Sequence, residues 1–107
     1  MTRSLAILAA FGLLASACAT PTLPLPPPTA LVSAPDAEGM VSVEGRVTAD
    51  AYVFCLNADT DRGVIVRASP AGDYTLRIQA EIGHTLELWA EREARRSETV
   101  DLVVPSP

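Results

Sequence analysis

Beyond residue 38 apolar and polar residues alternate almost without interruption. Val41, Val43, Gly45 and Val47 alternate with Ser42, Glu44, Arg46 and Thr48, the two-residue period of a strand with one buried and one wet face. Ala51, Val53 and Cys55 keep the parity of Val47. A hairpin through residues 48–50 would therefore set Val47 opposite Ala51, Gly45 opposite Val53 and Val43 opposite Cys55, with one long strand as the alternative. Residues 57–63, rich in Asn, Asp and Gly, predict a turn, and Val64, Ile65 and Val66 a short third strand. After the Ser-Pro-Ala-Gly turn at residues 69–72, Tyr74, Leu76 and Ile78 mark a fourth strand. Leu86, Leu88 and Ala90 follow Gly83 as a fifth, and Val100, Leu102 and Val104 form a sixth, stopped by Pro105. The charged stretch from Ala90 to Arg96 predicts a loop, because one turn of helix is too short to stand alone in water. Short strands about ten residues apart, with no helical period among them, predict an all-β fold, a small antiparallel β-sandwich of six to seven strands.

Four large apolar side chains do not fit the core parity. Tyr52, Phe54 and Leu56 alternate with Val53 and Cys55, and Trp89 alternates with Leu88 and Ala90. They form either a second apolar layer beneath the linker or a loop, or an exposed binding patch. Coverage or partial burial is the expectation.

The N-terminus follows a different pattern. Arg3 precedes an apolar run of thirteen residues, 5–17, that ends in Ala15-Ser16-Ala17-Cys18. A transmembrane helix needs about 20 such residues, so the run reads as an export signal with a small-residue cleavage site. The site resembles the lipobox of diacylglyceryl-modified lipoproteins, although Ala15 stands where Leu is most common. Residues 1–17 are thus expected to be a signal peptide and Cys18 the lipid-attachment residue; an ordinary secretory signal that frees the Cys18 thiol is the alternative. Ala19, rather than Asp, points to outer-membrane sorting by the usual Gram-negative rule. Residues 18–38 then form a linker, and residues 39–107 the sandwich domain. Six prolines fall within residues 21–35, which argues against helix and sheet and for a stiff tether. Fully extended, those fifteen residues would span about 45 Å at roughly 3.1 Å each.

Composition narrows the function classes. Without residues 1–17 the chain keeps seven arginines, no lysine and thirteen acids, a formal charge of −6. Arg92, Arg95 and Arg96 are interrupted by Glu91, Glu93 and Glu98, so the clustered cations that nucleic acid requires are missing. With Cys18 lipidated, Cys55 has no intramolecular partner and a disulfide framework is excluded; its parity places it in the core as a small hydrophobe. A domain of about 65 residues buries roughly 60% of its unfolded surface and suits a binding surface better than a deep cleft.

Four short segments carry a family resemblance: Gly45-Arg46-Val47, Ala51-Tyr52-Val53, Thr60-Asp61-Arg62-Gly63 and Gly72-Asp73-Tyr74-Thr75-Leu76. In this order they resemble the carboxypeptidase regulatory-like domain, a transthyretin-like β-sandwich of bacterial exported proteins. In that family a Gly, then an aromatic residue two positions on, then an apolar residue two further, leads a turn into a central strand. The resemblance spans residues 43–104 and implies an accessory module with no catalytic residues.

The residues themselves point the same way. His84, the sole histidine, lies beside Gly83 at a strand start and reads as a solvated turn residue. Asp59-x-Asp61-x-Gly63 copies the start of a calcium loop, but the twelfth position is Pro70. One histidine and one available thiol do not make a zinc site. The expectation is a non-enzymatic, membrane-anchored envelope lipoprotein without metal or cofactor, whose sandwich is a binding or structural module. Its partner would be an envelope protein or a glycan. The alternatives are an accessory subunit docking on an envelope enzyme or assembly, and a carbohydrate-binding module marked by an open Trp89 platform.

Overall fold

The computed structural model describes residues 23–107; the expected signal peptide and Cys18 lie outside them. Eight strands follow one another: β1 (Leu31–Val32), β2 (Met40–Arg46), β3 (Tyr52–Asn57), β4 (Arg62–Arg67), β5 (Asp73–Gln79), β6 (Thr85–Arg92), β7 (Arg95–Arg96) and β8 (Val100–Val103). All pair antiparallel, in a three-stranded sheet β1-β2-β5 and a five-stranded sheet β4-β3-β6 with β7 and β8 along the far edge of β6. The fold is an all-β sandwich, and its core is the set of residues that the alternation placed inward. Val41 and Val43 from one sheet meet Val53, Cys55, Leu86 and Leu88 from the other, joined by Tyr74, Leu76 and Ile78.

The expected hairpin between the first two long strands does not form. β2 pairs with β1 and β5, while β3 pairs with β4 and β6, so residues 47–51 cross between sheets. Gly45 therefore faces Tyr74, and Cys55 faces Val64 and Leu88. The shared parity is still explained, because strands in opposed sheets must both turn their apolar sides toward one core.

The linker also differs from expectation. From Leu25 onward it packs on the sandwich: Leu25 is buried against Ala51, Ala90 and Val47 and bridges Ser97. The Thr29 amide donates to the Arg46 carbonyl, the Arg46 amide donates to Thr29 Oγ1, and the Tyr74 hydroxyl donates to the Thr29 carbonyl. Gly45 makes room for this crossing, since a Cβ there would collide with the Thr29 carbonyl. The proline-free pair Leu31–Val32 then adds to the edge of β2, the kind of position that a proline-rich segment can still supply. A tether by composition becomes the plug of one end of the sandwich.

The charged stretch after Ala90 is a hairpin rather than a loop. Arg92 pairs with Arg95 across Glu93 and Ala94, whose φ angles of 51° and 63° match a two-residue type I′ turn. Ser97 ends β7 by exchanging bonds with Ala90, its amide donating to the carbonyl and its Oγ accepting from the amide, both at 2.9 Å.

Candidate functional site

Alternation along β3, β4 and β6 sends a second set of side chains to the outer face of the five-stranded sheet. Register arranges them in rows across the strands. Arg67, Tyr52, Glu91 and Arg96 form one row, Ile65, Phe54 and Trp89 the next, and Gly63, Leu56, Glu87 and Asp101 a third. The structure thus brings all four singled-out residues, Tyr52, Phe54, Leu56 and Trp89, onto one surface. Ile65, which the apolar run of residues 64–66 did not single out, joins them at 60% exposure.

The partial burial of this face comes from its own side chains. Phe54 and Trp89 stack with centroids 5.3 Å apart and planes 4° apart, and the Arg96 guanidinium lies 4.6 Å from the Trp89 centroid. Phe54 reaches the indole from β3 and Arg96 from β7, the strands that flank β6. The indole Nε1 donates to the Glu91 carboxylate at 3.0 Å. Arg67 sits 5.5 Å from the Tyr52 ring in the same manner. The rings are held upright by lateral neighbours, an arrangement in which stacking and cation–π contacts add to the area buried. Phe54, Leu56 and Trp89 are partly buried, one of the two outcomes expected of them, while Tyr52 and Ile65 are exposed. Tyr52 remains 46% exposed, and the missing side chain of Gly63 leaves a shallow hollow of about 270 Å³ between Leu56, Ile65 and Trp89. Trp89 itself is partly buried.

The other singled-out residues sit elsewhere. Cys55 is in the core, where burial pushes its thiol up to about 11, a poor nucleophile by protonation state as well as by access. His84 is half-buried rather than a solvated turn residue: its Nδ1 accepts from the Asn57 side-chain amide and the Glu81 backbone amide, both at 3.1 Å. Asn57, read from sequence as part of a turn, is completely buried and also donates from Nδ2 to the Gln79 carbonyl, tying β3 to the opposite sheet. Its Oδ1 accepts from the Asp59 amide at 2.9 Å. Asp59 in turn accepts from the Thr85 amide at 2.8 Å, so the calcium-like spacing serves turn geometry. The parity of Asn57 with Val53 and Cys55 was the available signal that it points inward. Beside His84 a cleft of about 360 Å³ is lined by Thr60, Arg62, Gln79 and Glu81. No family model, curated protein or solved structure matches the chain.

Proposed function

We propose that this chain is a lipid-anchored, non-enzymatic lipoprotein of the bacterial envelope, its sandwich a binding or structural module similar to the carboxypeptidase regulatory-like domain. One observation carries the module reading. The sandwich closes its own core and plugs its own end, yet keeps Tyr52, Phe54, Leu56, Ile65 and Trp89 together on an outer face rimmed by Arg67, Arg96, Glu87 and Asp101. A central apolar cluster with aromatic and arginine members and a charged rim is the composition of a protein-binding surface. That favours an envelope protein as partner, including the case of an accessory subunit on a larger assembly. A glycan has less support, with the indole already engaged by Phe54 and Arg96. The non-enzymatic reading rests on the engaged His84 ring and the buried, protonated Cys55 thiol. The anchor reading rests on the segment ending in Cys18.

Two measurements test it. Wild-type protein should take up labelled fatty acid and fractionate with membranes, and Cys18→Ala should do neither; a wild type without label removes the anchor. A photoreactive residue at Ile65 should give a discrete cross-linked species in cells, whereas one at Glu44, on the outer face of the other sheet, should not. Equal behaviour at the two positions removes the module surface.

A further inference from the structure

The packing of the linker determines how near the membrane this domain can sit, and which end faces it. Resting on the lipid-anchor reading, we infer that the end of the sandwich closed by Leu25 seats against the lipid headgroups, with the opposite end pointing away.

Leu25 is buried among Ala51, Ala90 and Val47 and bridged to Ser97, so seven Cα steps separate Cys18 from the docked chain. Those seven Cα steps reach at most about 25 Å, roughly half of what the whole proline-rich segment would span. Where the chain enters decides the orientation. Leu25 lies at the end formed by the β2–β3 crossing, the β4–β5 turn and the β6–β7 hairpin. The far end carries residues 35–40, 57–62 and 79–85, about 23 Å further along strands such as the seven-residue β2.

Charge divides along the same axis. The anchored end holds Arg46, Arg67, Arg92, Arg95 and Arg96 against Asp50, Asp73, Glu91, Glu93 and Glu98, and is neutral overall. The far end, residues 35–40, 57–62 and 79–85, holds Arg62 against Asp36, Glu38, Asp59, Asp61 and Glu81, so most of the net negative charge lies away from the anchor. An anionic leaflet repels that part and tolerates the neutral, arginine-bearing end. The tether sets the distance and the charge asymmetry sets the tilt. In this pose the Phe54 and Trp89 face stands roughly upright to the membrane, open to a partner alongside.

The test uses the full lipidated chain in vesicles of phosphatidylcholine and phosphatidylglycerol containing a headgroup nitroxide lipid. A fluorophore is placed on Ala71→Cys, in the exposed β4–β5 turn, or on Ile82→Cys, in the exposed turn at the far end. The chain with no added cysteine gives the background from buried Cys55, and should Ala71→Cys melt below the parent, Glu98→Cys replaces it. Quenching several-fold stronger at the anchored end is expected. Equal quenching, or stronger quenching at Ile82→Cys, in protein that floats with the vesicles overturns the orientation while leaving the anchor intact. A wild-type chain that takes no fatty acid and does not float overturns both.

Discussion

The two faces of the five-stranded sheet both carry apolar side chains and owe their order to different causes. Inside, Val53, Leu86 and Leu88 are fully buried against a second sheet. Outside, Phe54, Leu56 and Trp89 are only half-buried, because their neighbours lie beside them rather than above them. The same two-residue period therefore produces a core on one side and a self-supported layer on the other. What separates them is the presence of an opposing sheet, which removes water from every atom of a side chain instead of from its flanks. Apolar pattern alone measures the tendency to bury, and the partner decides how much burial is realised.

Mutations on adjacent residues of β6 give the widest separation. Leu88→Ala should cost between about 2 and 5 kcal/mol, by lost transfer energy and a residual cavity, and lower the melting temperature by more than about 10 °C in a domain this small. A smaller loss would mean that the inner face is loosely packed.

Alkaline pH should strike only the interior. Burial raises Cys55 from 9.0 to about 11 and, with the nearby Cys55, raises Tyr74 from 10.0 to about 12. Both are neutral when protonated, so the folded chain holds protons that the unfolded chain releases. Stability is whole below about pH 9 and falls as pH rises through 9 to 12. Urea melts across that window should show a falling midpoint, and native Cys55 should react with a thiol reagent far more slowly than the unfolded chain. Rapid native labelling would contradict the burial.

On the outer face Trp89→Ala removes the Phe54 stack and the Arg96 contact, and should cost about 2 kcal/mol, less than a fully buried aromatic. A loss near that of Leu88→Ala would mean the layer is covered; no loss would mean the stack is not formed in solution. Ile65→Ser, at the exposed margin, should change stability by less than about 0.5 kcal/mol, and a larger effect in melts would show that the apolar layer extends across β4.

Much of this could be read from residues. The alternation in β2, β3, β5 and β6 identified the strands and their inward residues, and the opposite parity of Tyr52, Phe54, Leu56 and Trp89 identified the outer set. Glu93-Ala94 gave no hairpin signal, because a turn needing two positive φ angles normally uses Asn or Gly. Asn57 combined an inward parity with a turn composition, and its burial became intelligible only with His84 and Gln79 in place to satisfy its amide.

Strand period, buried positions and sandwich class were all legible in the order of residues, because each rests on local alternation that any pairing partner must respect. Tertiary structure alone decided that β2 and β3 lie in opposite sheets, since parity is the same for a hairpin and for a crossing. It alone decided that Leu25 and Thr29 close one end, because a proline-rich composition rules out regular ladders without ruling out docking. It also decided that Phe54 and Trp89 are half-buried, which depends on β3 meeting β6 and its hairpin partner β7 from a distant part of the chain.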